Sequence, residues 1–159
     1  MFPVNLTGSP EVNRMTTPRT GTTFRDRTVL VTGASSGIGR ETALAFAAAG
    51  ANLVLVARRA KALASVAAQA RKFGAETLVA AADVTQPEAV TACFRKAVKR
   101  FGTIDVVINN AGVLLPAKVV DLSGADLQRM LDVNLFGALY VMQEAVKVMA
   151  QLDIGSLIV

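Results

Sequence analysis

The residues best suited to chemistry are Thr32-Gly33-Ala34-Ser35-Ser36-Gly37-Ile38-Gly39. They stand between a short apolar run, Thr28-Val29-Leu30-Val31, and an Ala-rich stretch from Arg40 to Ala49 that ends at Gly50. Glycines at a strand-to-helix turn let the backbone turn tightly and approach an anion, and the helix start offers unpaired N–H groups and the positive end of a dipole. A pyrophosphate is the anion such a turn suits; a bare tight turn is the alternative. The spacing is Gly-x-x-x-Gly-x-Gly, which is not the Gly-x-Gly-x-x-Gly fingerprint, and the Gly-Lys-Ser/Thr of a P-loop is missing. A nucleoside triphosphatase is therefore disfavoured.

A second informative position lies roughly 20 residues further on, where nucleotide-binding folds place an acid on a ribose 2′-hydroxyl. Here the sequence reads Val56-Ala57-Arg58-Arg59, without an acid. Guanidinium groups form charge-assisted, bidentate bonds to a 2′-phosphate that a carboxylate would repel. Arg58, helped by Arg59 and the hydroxyl of Ser35, argues for NADP(H); two arginines on a solvated helix start are the alternative. The 159 residues hold no histidine, which removes His-ligated metals and His-dependent nucleophiles. Cys93 is the only cysteine, so no internal disulfide forms, and its isolation tilts the expected location toward the cytoplasm.

Several elements must position these residues. Leu53 to Val56, Thr77 to Ala81, Ile104 to Ile108 and Ser156 to Val159 read as further strands. Between them come a helix from Lys61 to Phe73 closed by Gly74, and another with Val90, Phe94, Ala97, Val98 and Phe101 on one face, ended by Gly102. In the first helix Thr42, Ala45, Phe46 and Ala49 stand at helical spacing, and in the second Phe73 is expected to face inward. A long helix is predicted from about Ala125 to Met149, its inward stripe formed by Leu127, Leu131, Leu135, Leu139, Met142, Val146 and Met149, with Asn134 the polar exception. Strands apolar throughout, each followed by an amphipathic helix, imply a parallel sheet covered on both faces. The expectation is an α/β, Rossmann-type doubly wound sheet of order 3-2-1-4-5, cut within the fifth strand, with ligands at the carboxyl ends of the strands. Residues 1 to 24, rich in Thr, Pro, Gly and Asn, read as a flexible leader, leaving 25 to 159 as the nucleotide-binding domain. The longest mostly apolar stretch, Ala43 to Ala57, is too short to span a bilayer, so no membrane partner is expected.

Taken together with Asp83-Val84, Asn109-Asn110-Ala111-Gly112 and Asp132-Val133-Asn134-Leu135-Phe136-Gly137, the glycine turn resembles the N-terminal part of a short-chain dehydrogenase/reductase. The pieces occur in family order from about Arg25 to the last residue. The resemblance implies an NADP(H)-dependent oxidoreductase acting on a small carbonyl or alcohol substrate. It implies that Asp83 bonds the adenine amino group, that Val84 lines the adenine pocket, and that Asn109 to Gly112 support the central strands. Asp83 or Thr85 could also cap the following helix. Asn134 would hold a water in the proton relay beside the catalytic lysine; an Asn side chain can also open a helix locally. The catalytic Ser, Tyr and Lys are expected beyond Val159. Tyr140 does not fit, since the fourth residue after it is Glu144 instead of Lys. The chain is thus read as an incomplete, cofactor-binding half, inactive alone, with the long helix supplying part of a homodimer or tetramer interface. A non-catalytic dinucleotide-binding module is the alternative. Nucleic-acid binding rests only on a net charge of +5 spread over several helices, without aromatic interleaving.

Overall fold

A computed structural model describes residues 24–152 and 156–158; the expected leader lies almost wholly outside them. Five parallel strands, β1 (Thr28–Thr32), β2 (Asn52–Ala57), β3 (Thr77–Ala81), β4 (Val106–Ile108) and β5 (Ser156–Ile158), form one sheet in the order β3-β2-β1-β4-β5. In register, Leu30 faces Val54 on one side and Val107 on the other. The order is the one expected from strands that are apolar on both faces.

Alternation along each strand divides the core into two layers. Leu30, Val54, Val56 and Val107 meet Phe94, Ala97, Val141 and Ala145 from α3 (Pro87–Phe101) and α5 (Ala138–Leu152). Val29, Val31, Leu53 and Leu55 meet Ala43, Ala47, Leu63 and Val66 from α1 (Gly37–Ala48) and α2 (Ala60–Arg71). Burying each such Val, Leu or Phe contributes about 1.5–3 kcal/mol, so both layers are needed to hold the sheet. One polar link ties the strand entrances together: buried Asp105 accepts Thr28 N–H at 2.8 Å and Arg27 Nη1 at 2.7 Å.

Helix faces depart from the sequence expectations in three places. In α1 the buried residues are Gly39, Ala43 and Ala47, and Ala45 is exposed. Small side chains leave the periodic signal flat, so a face chosen from the larger residues is rotated off the sheet. α2 ends at Arg71, two residues before Phe73, which is 56% exposed. The predicted long helix divides into α4 (Gly124–Leu131), a π-helical turn over Asp132–Gly137, and α5. Its supposed inward stripe is wrong: Leu127, Leu131, Leu135, Leu139 and Val146 are exposed, whereas Val141, Ala145 and Met149 face the sheet. A π turn inserts an extra residue per turn and rotates everything after it, which a 3.6-residue period cannot follow. Ser123 starts α4 with a capping box, its Oγ accepting Asp126 N–H at 3.1 Å.

Candidate functional site

The strand carboxyl ends open into a cleft of about 520 Å³ lined by Gly33, Ser35 to Gly39, Arg58, Arg59, Asp83, Val84 and Asn110 to Gly112. Of the residues singled out from the sequence, only Asn109 and Asn134 stand outside this lining, and both hold parts of it. Ala57, Ala82, Val113 and Val133 complete the wall without having been foreseen.

β1 ends at Thr32, buried, and its hydroxyl organises the floor. Thr32 Oγ1 accepts the N–H groups of Asn110 at 3.0 Å and Ala111 at 2.9 Å, while Asn110 Nδ2 donates to Thr32 carbonyl oxygen at 2.9 Å. Two strand exits are thereby clamped side by side. Thr32 was the first residue of the glycine motif, but its role needs β1 and β4 to be neighbours, a fact of topology invisible at a sequence separation of 78 residues. Asn109 contributes from behind, Nδ2 donating to Ala138 carbonyl oxygen at 2.9 Å.

Close packing explains two of the motif glycines. A Cβ on Gly33, where φ is +66°, would lie 2.7 Å from Asn110 Nδ2, and one on Gly39 would lie 2.6 Å from Gly33 carbonyl oxygen. Gly37 differs: φ is +55° and nothing lies within 4 Å, so its backbone borders open cleft. The first intrahelical bond of α1 runs from Arg40 N–H to Ser36 carbonyl oxygen at 3.3 Å. The N–H groups of Gly37, Ile38 and Gly39 precede that bond and are therefore without helical partners. No acidic residue sits in this first turn and no side chain caps it, so the positive end of the helix dipole is left unneutralised toward the cleft.

The hydroxyls of Ser35 and Ser36 are engaged by Arg59, whose Nη2 donates to them at 3.2 and 3.0 Å. Arg59 rather than Arg58 is therefore the guanidinium anchored to the glycine turn, although both line the cleft. Across the cleft Asp83 Oδ1 accepts Thr85 N–H at 3.0 Å and Thr85 Oγ1 at 2.9 Å. Neither residue caps α3, whose N-cap is Gln86 with no side-chain bond. The Asp83 turn settles the loop after β3 instead and places Val84 in the wall.

Asn134 sits in the π turn, exposed, and not on a buried stripe as expected. Both of its polar atoms are used on one residue: Oδ1 accepts Val113 N–H at 2.8 Å and Nδ2 donates to Val113 carbonyl oxygen at 2.9 Å. This pairing fixes the chain leaving Gly112. The local opening of the helix at an Asn agrees with the expected competition for backbone bonds.

A parallel sheet of this order with a glycine turn, unpaired helix amides and a clamped β4 exit defines a doubly wound dinucleotide-binding fold. More narrowly, the chain belongs to the short-chain dehydrogenase family, whose model matches residues 27–159. An uncharacterized oxidoreductase of Staphylococcus aureus strain MW2 is 37% identical over 137 residues, 86% of this chain and 58% of that protein. A CLA biosynthesis dehydrogenase/reductase of Lactiplantibacillus plantarum is 34% identical over 128 residues, 80% of this chain and 45% of that one. Among solved structures, a short-chain type dehydrogenase/reductase from Mycobacterium marinum superposes with a TM-score of 0.81 at 34% identity, covering 84% of this chain and 54% of that one. An NAD+-bound xylitol dehydrogenase does so with a TM-score of 0.82 at 35% identity, covering 84% and 52%. The chain thus spans about half the length of the relatives it matches. Among the described residues no helix is long and apolar enough to cross a membrane.

Proposed function

We propose that this chain is the cofactor-binding half of an NADP(H)-dependent oxidoreductase that interconverts a small carbonyl compound and its alcohol. The observation that carries the reading is the conjunction, on one cleft wall, of the uncapped α1 amides with Arg59 fixed to Ser35 and Ser36. The residues fit the nucleotide. Gly37 to Gly39 supply N–H donors for the diphosphate, Arg59 and Arg58 supply positive charge for a ribose 2′-phosphate, and Asp83 and Val84 form the adenine end. When bound, the nicotinamide supplies the hydride chemistry.

Asn134 acts in this reading as a positioning residue. Because Val113 occupies both ends of its side-chain amide, it holds the loop beyond Gly112 against the cleft instead of carrying a proton itself. Tyr140 is half-buried in α5 and does not line the cleft, so it is not assigned the general acid/base role. The exposed apolar face of α4 and the π turn, with Leu127, Leu131 and Leu135, supports association with a second copy. The single cysteine favours a reducing, cytoplasmic location.

Titrating the chain with NADPH and NADH, followed by nucleotide fluorescence, tests the assignment. Tighter binding of NADPH is expected. Failure to bind either nucleotide would overturn the whole reading, and equal or tighter binding of NADH would overturn the cofactor preference alone.

A further inference from the structure

Gly137 closes the π turn in helical backbone, and its φ is not positive, so no conformational demand selects glycine there. Glycine inside a helix is unfavourable relative to alanine, which leaves space as the reason for it. A Cβ built on Gly137 would fall 2.8 Å from Val84 Cγ2 and 3.3 Å from both Val84 Cβ and Asp132 carbonyl oxygen. Val84 is buried against this backbone on one side and lines the cleft on the other.

The turn itself is held at two further points. Asn134, three residues before Gly137, is paired with Val113, and Ala138, immediately after it, accepts the Asn109 side chain. Both anchors belong to β4 or its exit. The turn is thus fixed to the central sheet while Val84 hangs on the shorter loop after β3, with open cleft as its free side. A side chain at position 137 would therefore displace Val84 into the cleft in preference to moving the turn.

We propose that Gly137 is a positioning residue for the nucleotide. Its missing side chain sets the depth of Val84 and hence the width of the slot for the adenine half. The proposal rests on the nucleotide reading of the cleft given above. It assigns a binding role to a residue that does not itself line the site.

The test is calorimetric titration of the chain with ADP-ribose, with a thermal melt for each variant. Gly137→Ala is expected to weaken binding about tenfold, the scale of overpacking a tight contact. Val84→Ala/Gly137→Ala, which returns the space, is expected to bind within about threefold of the original chain, a rescue that a merely structural role for Gly137 would not produce. Val84→Ile, which crowds the same contact without altering the turn, is expected to weaken binding in the same direction as Gly137→Ala, and it serves where that variant does not fold. If the unaltered chain does not bind ADP-ribose, the nucleotide reading fails and the proposal with it. If it binds but Gly137→Ala or Val84→Ile binds equally well, or the double variant stays as weak as Gly137→Ala, only the role of Gly137 is overturned.

Discussion

At the scale of single residues, the cleft is an arrangement of donors held for a ligand rich in acceptors. Arg59 reaches Ser35 and Ser36 before any ligand arrives, so less side-chain freedom is lost when a phosphate is gripped. Replacing Arg59 by Ala should lower NADPH affinity about tenfold or more, the worth of a charge-assisted bond, and leave NADH binding within about twofold. Arg58→Ala should have the smaller effect, since no side-chain bond holds Arg58 to the glycine turn. Parallel fluorescence titrations of the two variants would reveal the opposite ranking if Arg58 were the main contact.

A different charge shows how a local bond becomes a pH dependence. The Ser123 hydroxyl, and then the Ser123 backbone N–H, hold the Asp126 carboxyl below the usual aspartate range. A carboxyl lowered on folding contributes stability that is present above its unfolded value and lost as the pH falls through the folded one. Ser123→Ala should therefore raise the Asp126 titration toward the ordinary range, as read by carboxyl NMR shifts, and fray the first turn of α4. An unmoved titration would show that the capping box is not what lowers it.

Among the elements, the π turn has the most consequences per residue. It rotates α5 so that Val141, Ala145 and Met149 meet the sheet, and it brings Asn134 to Val113. Asn134→Ala removes both bonds to Val113, and that backbone should gain freedom. Hydrogen exchange at Val113 is expected to accelerate at least about tenfold, one bond of about 1.4 kcal/mol being that factor, with exchange in β1 and β2 unchanged. Acceleration spread evenly over the sheet would mean the pairing supports the whole fold and not the loop.

For the whole molecule, the link between Asp105, Thr28 and Arg27 joins the entrances of β1 and β4 at the bottom of the sheet, opposite the cleft. Asp105→Ala leaves the buried Thr28 N–H without its side-chain partner, and should cost about 1–3 kcal/mol in chemical denaturation. Nucleotide affinity measured on the folded protein should stay as it was, because the cleft lies at the other ends of the strands. Cys93 offers a reporter for that unfolding: burial pushes its thiol up, against the smaller lowering effect of Lys96. Its reaction with a thiol reagent near neutral pH should be slow in the folded protein and rise in step with denaturation.

Local chemistry was enough to read the parallel sheet, its strand order, the phosphate turn and the arginines after β2, because each leaves its mark within a few consecutive residues. Unbroken apolar strands, glycines at a strand end and a missing acid are all local signals. What faces what along α1 and the α4–α5 region was decided only by tertiary packing. Small residues flatten the helical period of α1, and one π turn shifts the phase of everything after Gly137. The same holds for Thr32 as the floor of the cleft, Arg59 as the anchored guanidinium, and Gly137 behind Val84. Each role belongs to a pair of residues from distant parts of the sequence, and such a pair has no spacing to read until the sheet brings its members together.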